Sequence, residues 1–261
     1  MSTEAEPSSR NAKQGPWARF AGSVLFPSVC LTCGTQPVDR FRAGGVCERC
    51  WSEVPPAEPG CVRCDDPLPA LDAEVCGRCT IDPPPFLRLR SAAPYRGVAR
   101  DLLIAFKFRG ASFLAPHLAR RMAGLDFEAR YDEVVAVPAT RFSRLRRDHP
   151  AELLAHAVAT LLDSPFRPRR LVKVRGTRRQ SGLSARLRPD NVRGAFAARR
   201  PAPANVLLVD DVATSGATAR ECARALLAAG ARTVEVRCFA RATRDDEARP
   251  ASWRDRRGEI E

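Results

Sequence analysis

Lysine is almost missing from this chain of 261 residues: Lys13, Lys107 and Lys173 are the only three. None stands in Gly-x-x-x-x-Gly-Lys-[Ser/Thr], which excludes a P-loop nucleotide site, where that lysine reaches the phosphates. Long hydrophobic runs are missing too. No stretch of 18 apolar residues occurs, whereas a membrane-spanning helix needs about 20. Met1 to Gly15 is polar and carries no apolar h-region, so no secretory leader is expected. Aromatic residues are only 7% of the chain. A row of stacking platforms, on which binders of single-stranded nucleic acid rely, therefore does not stand out.

Arginine and cysteine are plentiful. Lys and Arg total 43 against 30 Asp and Glu, a formal charge of +13. Such a balance favours polyanions, either nucleic acid or phosphorylated small molecules, and a merely solvated arginine surface is the competing reading. Eight of the ten cysteines form four Cys-x-x-Cys pairs: Cys30/Cys33, Cys47/Cys50, Cys61/Cys64 and Cys76/Cys79. Two thiolates of one tight turn reach the same tetrahedral ion, so four pairs predict two Cys₄ zinc sites. Sequential pairing joins the first four cysteines and then the last four; interleaved pairing fits the spacing equally well. With cysteine at every corner the metal is structural, and its binding supplies folding free energy that a short segment lacks. Gly34 and Gly77 are expected to ease the knuckle turns, and Trp51 to cover a site. A cytoplasmic location is expected, where ten cysteines would not be disulfides. Cys222 and Cys238 have no partner in sequence and read as small core residues.

These features divide the chain. Residues 1–23 read as a polar start and a leader helix (Trp17, Phe20 and Val24 fall at helical spacing, with Leu25 and Phe26 following). Residues 24–85 read as a double zinc ribbon, 86–240 as an α/β domain, and 241–261 as a charged, disordered tail. The proline-rich 81–86 is expected to be a stiff linker. Within the α/β part, strands are expected at 88–95, 133–137, 171–174, 206–209 and 233–239, and helices at 98–106, 113–123, 151–162 and 219–229. His149 is a candidate base, with a structural role as the plainer alternative. The basic stretch 178–196 reads as a lid over an anionic ligand or as an ordinary exposed loop.

The informative stretch is Val206-Leu207-Leu208-Val209-Asp210-Asp211-Val212-Ala213-Thr214-Ser215-Gly216-Ala217-Thr218. A buried strand ends in two acids, and a loop of hydroxyls and glycine leads into a helix. Exposed N–H groups at a helix N-terminus form a phosphate site. Gly216 lets the backbone approach, and Thr214, Ser215 and Thr218 add hydroxyl donors. The acids repel phosphate, so a sugar diol or a metal suits them better. Response-regulator receivers also open with two acids after a strand, but they need a later strand with a phosphoacceptor Asp, which is missing after Asp211.

This stretch resembles the phosphoribosyl-pyrophosphate (PRPP) signature of type I phosphoribosyltransferases. Together with the cysteine knuckles, Tyr95-Arg96-Gly97, Lys107-Phe108 and Gln180-x-Gly-Leu-Ser-x-x-x-Arg-x-x-Asn191, it resembles the ComF family over roughly residues 25–240. One departure is Arg146-Arg147-Asp148-His149-Pro150, which lacks the glycine of the family's usual Arg-Gly-Phe-Asn-Gln-like stretch. The resemblance implies a type I phosphoribosyltransferase fold, a mainly parallel sheet flanked by helices, behind the zinc module. It implies PRPP bound with Mg²⁺. Asp210 and Asp211 would hold the ribose and offset positive charge in a transfer reaction. The 214–218 loop, Ala217 included, would hold the 5′-phosphate, with Val212 and Ala213 leading into it as part of the same PRPP site. Pro138, Ala139, Thr140 and Arg141 would receive the pyrophosphate, with Lys107 nearby. It also implies a role in DNA uptake and transformation, with single-stranded DNA and a helicase-like protein as partners. The acceptor for transfer is not named by any residue, and a non-catalytic PRPP-regulated DNA-binding protein is the rival expectation.

Overall fold

The computed structural model describes residues 28–38, 44–68, 73–125, 130–138, 149–176, 192–199, 201–243 and 246. The expected leader helix, Ala139 to Arg141, residues 178–191 of the expected lid and nearly all of the tail lie outside them.

Valine, leucine and alanine runs bounded by prolines and glycines form the central sheet. Its strands are β3 (Leu89–Pro94), β4 (Glu133–Ala136), β7 (Asn205–Ala213) and β8 (Thr233–Arg241). They lie in the order β3-β8-β7-β4, and every pair is parallel. A parallel sheet buries both faces, and side chains alternate between them. Val206 and Leu208 pack with α6 (Ala217–Ala228) through Cys222, Ala223 and Leu226. Leu207 and Val209 pack in the opposite core. That core receives Leu102, Leu103 and Phe106 of α3 (Gly97–Phe108), Leu118 and Met122 of α4 (Ala115–Ala123), and Leu154 and Val158 of α5 (Pro150–Leu161). Cys222 and Cys238 are fully buried, as their lack of a partner predicted.

Both edges of the sheet are occupied. Along β3 the outward N–H groups of Leu89 and Ser91 donate to Arg63 O (2.9 Å) and Asp65 Oδ2 (2.9 Å). Along β4, Val134 N donates to Pro165 O, and Arg167 N returns a bond to Val134 O.

The cysteine-rich part folds as two copies of one half-ribbon. In the first, β1 (Ser28–Val29) and β2 (Pro37–Val38) pair antiparallel around the knuckle, and α1 (Glu48–Ser52) carries the last cysteine. In the second, α2 (Gly77–Ile81) does the same, with only a Gly60–Pro67 bridge in place of strands.

Four placements differ from expectation. The 171–174 strand does not join the sheet: β5 (Leu171–Lys173) pairs antiparallel with β6 (Phe196–Ala198) in a separate ribbon over α6. The end of the expected lid is core, since Val192, Ala195 and Phe196 are buried. The 113–123 helix starts as a 3₁₀ turn (Ser112–Leu114), and α4 follows with Pro116 in its first turn, where its missing N–H costs nothing. β7 and β8 run four and two residues further at their carboxyl ends than predicted, because Asp210, Val212 and Ala213 still pair with Cys238, Ala240 and Arg241. Arg241 is thus strand, only 4% exposed, rather than the start of a tail.

Candidate functional site

The lengthened β7 places Asp210 and Asp211 inside the strand's last turns, half-buried, and shortens the loop to Thr214-Ser215-Gly216. Gly216 has φ +72 and caps α6, and no atom lies within 4 Å of where a Cβ would stand. Its glycine is needed for backbone conformation, and it leaves open space beside the first N–H groups of the helix. Ser215 Oγ accepts a 3.4 Å bond from Ala217 N. Asp210 Oδ1 accepts from Asp211 N (2.8 Å), and Asp211 Oδ1 accepts from Val212 N (2.7 Å).

Lys107, in the last turn of α3, crosses to this strand end and pairs with Asp211 at 2.9 Å. Burial works against its charge, but Asp211, joined by Asp210 and Tyr95, raises the Lys107 pKa. Burial, reinforced by the Asp211 charge, lifts the Asp210 carboxyl well above the ordinary range. Two adjacent acids in a desolvated place thus divide their roles: Asp211 shares its charge with Lys107, and Asp210 favours its neutral form. The pair faces an incoming anion with far less repulsion than two free carboxylates would.

Pro138 ends β4 beside this strand end, and His149 caps α5. Burial lowers the His149 pKa; Glu152 and Asp211 oppose that, and Lys107 adds to it. Its Nδ1 is buried without a hydrogen-bond partner among the described residues. The imidazole is held neutral near the Lys107–Asp211 pair.

Both cysteine quartets assemble sequentially, Cys30, Cys33, Cys47 and Cys50 in one and Cys61, Cys64, Cys76 and Cys79 in the other. In each, all four sulfurs lie within 4.8 Å of one another. Zinc with sulfurs at about 2.3 Å sets them about 3.8 Å apart, and Cys33–Cys47 (3.9 Å) and Cys64–Cys76 (3.6 Å) match that. Equivalent backbone bonds support the sulfurs, Cys47 N to Cys30 Sγ and Cys76 N to Cys61 Sγ, both 3.3 Å. Residues of this kind and geometry fit zinc. Gly34 has φ +70 after its knuckle as expected, whereas Gly77 simply opens α2. Trp51 stacks on His117 of α4 at 5.9 Å, fastening the first ribbon to the α/β part.

A family model described as a double zinc ribbon domain matches residues 21–80. The DNA utilization protein YhgH of Salmonella typhimurium is 35% identical over 231 residues, covering 84% of this chain and 99% of that protein. Competence protein F of Haemophilus influenzae is 30% identical over 230 residues, with the same coverage. This chain belongs to the ComF/YhgH family. Behind the double zinc ribbon its fold is a four-stranded parallel sheet flanked by helices, the architecture that the resemblance to type I phosphoribosyltransferases implied. Among solved structures it overlaps glutamine PRPP amidotransferase from B. subtilis (24% identical, TM-score 0.35, 49% of this chain and 26% of that one). It also overlaps orotate phosphoribosyltransferase from Aeropyrum pernix (20%, TM-score 0.32, 60% and 82%). Overlaps this partial say nothing about the site. Among the described residues no helix is long and apolar enough to cross a membrane.

Two features of this ComF/YhgH chain escaped sequence reasoning. Asp65 follows the second knuckle with φ +60, where the first uses Gly34; alignment of the two halves would have exposed the substitution. Arg220 is only 8% exposed and reaches back to Asp82, a contact across 138 residues that carries no local signal.

Proposed function

We propose that this protein binds PRPP with Mg²⁺ at the carboxyl end of β7, as a cytoplasmic ComF-type phosphoribosyltransferase serving DNA uptake. The observation that carries the reading is the Asp210–Asp211 pair, tied to Lys107 and followed five residues later by an open helix N-terminus at Gly216. The 5′-phosphate takes the N–H groups and hydroxyls of Thr214 to Thr218, where the helix end favours negative charge. Asp210 and Asp211 accept the ribose hydroxyls. As the sugar C1 gains positive charge during transfer, the fixed Asp211 carboxylate stabilises it without reorganising, and the neutral Asp210 carboxyl keeps hold of the ribose. Mg²⁺ would neutralise the pyrophosphate, and Pro138 to Arg141 with Lys107 would receive it. The acceptor is unassigned.

The test is calorimetric titration of PRPP with Mg²⁺ into the two-zinc protein and into Asp210→Asn/Asp211→Asn. Saturable binding is expected in the first and its loss, at least about 100-fold, in the second, since each lost charge-assisted bond contributes about 1.5–3 kcal/mol. Well-folded protein that ignores PRPP would sink the reading. A second reading follows from the relatives' names, DNA utilization protein and competence protein. In it PRPP is a regulatory ligand, the basic surface holds single-stranded DNA, and the ribbons dock a helicase-like partner. Binding of PRPP without pyrophosphate release for any acceptor, with steeply salt-dependent DNA binding, would favour it.

A further inference from the structure

Both ends of the Thr214–Gly216 loop are fastened to the second zinc ribbon. At the first end, Ala242 N donates to Ala213 O (2.9 Å), and the neighbouring Arg241 is ion-paired with Asp66. At the far end, Arg220 N donates to Gly216 O (2.9 Å), closing the first turn of α6. The Arg220 side chain donates to Asp82 Oδ2 (3.0 Å), Asp82 O (2.8 Å) and Pro83 O (3.3 Å). Both anchors sit next to metal ligands: Asp66 two residues after Cys64, and Asp82 three after Cys79. Arg78 joins them to the sulfurs, donating to Asp66 Oδ2 at 2.7 Å and lying 3.8 Å from Cys64 Sγ. Asp82 N in turn donates to Arg78 O at 2.8 Å. The first ribbon makes no such bond to the loop among the described residues. Its equivalent of Asp82 is Glu53, which pairs only with Arg49 of its own helix.

We infer that the second zinc ribbon is a positioning device for the anion loop, and that Arg220 is the positioning residue through which it acts. Zinc at Cys61, Cys64, Cys76 and Cys79 fixes Asp66 and Asp82. These hold the last residue of β8 and the first turn of α6, and the loop between is set in its receptive shape. The guanidinium is suited to this because it satisfies a carboxylate and two carbonyls at once from one planar group. The inference rests on the loop being the phosphate site. By linkage, an anion in the loop must also retain zinc in the second quartet.

The test compares full-length two-zinc wild type, Arg220→Gln, Arg220→Lys and Asp82→Ala, with zinc content confirming that each variant folds. Three readouts are taken: hydrogen exchange of the 214–220 amides, affinity for PRPP with Mg²⁺, and the rate of zinc release to a chelator with and without PRPP. Arg220→Gln should exchange those amides about tenfold faster and bind PRPP about tenfold more weakly, the scale of one lost charge-assisted bond. Arg220→Lys should recover part of both, and Asp82→Ala should fall between. PRPP should slow one of two zinc-release phases in wild type and neither in Arg220→Gln. Unchanged loop exchange and PRPP affinity in Arg220→Gln, with both zincs retained, would overturn the inference, since a merely structural arginine would lower only thermal stability. If wild type ignores PRPP while the loop amides still loosen in Arg220→Gln, the PRPP reading falls and the coupling stands.

Discussion

The two half-ribbons share one plan but are held in opposite ways. After Cys47 and Cys76 the backbone enters a helix with nearly identical angles, φ −71 and ψ 159 against φ −72 and ψ 153. The first half is then absorbed into apolar packing: Cys30, Val46, Cys47, Cys50 and Val54 belong to the same core as α3, α4 and α5. The second keeps a small cluster of its own, Cys61, Cys64 and Cys79, and is joined through Asp65, Asp66 and Asp82. Apolar attachment ties metal to fold, because losing the ion opens the shared core. Polar attachment ties metal to geometry, because directional bonds transmit position while contributing little net free energy each.

The sharpest way to break this contrast is to remove one ligand from each half. Cys50→Ser should lower the main melting transition by more than about 10 °C, because structural zinc contributes on the order of 10 kcal/mol. Cys79→Ser should leave that transition far less changed, with one zinc per chain by metal analysis. Equal losses in calorimetric melting would erase the distinction.

A smaller effect separates the knuckles themselves. Asp65 is buried in the left-handed region, and its Oδ2 accepts from Ser91 N at 2.9 Å and Ser91 Oγ at 2.5 Å. Asp65→Ala keeps the strain and loses both bonds, so urea unfolding should show a cost of about 2–3 kcal/mol. Gly34→Ala meets no atom and should cost only about 1 kcal/mol. A larger loss at Gly34 than at Asp65 would mean the second knuckle is not braced by β3.

The smallest expected change lies at the anion site. Burial, with the Asp211 charge, raises the Asp210 pKa well above normal. The folded protein therefore binds more protons than the unfolded one between the normal and raised values, and its stability falls as pH rises through that window. Asp210→Asn removes the penalty, so the melting temperature at neutral pH should rise by roughly 2–4 °C. The gain should vanish below the ordinary carboxylate range. A gain that persists in acid would assign it to packing instead.

Much of this was legible beforehand. Cysteine spacing alone located both cysteine clusters, and hydrophobic runs located the four sheet strands and every described helix longer than five residues. What it left open was set by distant partners. The knuckle pairing waited on the fold. β7 carries its acids inside the strand because Cys238 and Ala240 extend the ladder beyond them. β5 left the sheet for β6, a choice between two short strands that local propensity does not decide. Residues 81–86 looked like a free spacer, yet Arg220 grips Asp82 and Phe86 is buried in the core beside α6.

One consequence of the ribbon's seat on β3 concerns the crowded cell rather than the ligand. Arg63 O and the Asp65 carboxylate cover the outward N–H groups of Leu89 and Ser91, and an uncovered strand edge is a template for pairing with another chain. Metal starvation would then do more than silence the protein. It would bare the Leu89 and Ser91 donors on the edge of the parallel sheet and turn the chain toward self-association, so the second ribbon also serves as a guard against aggregation.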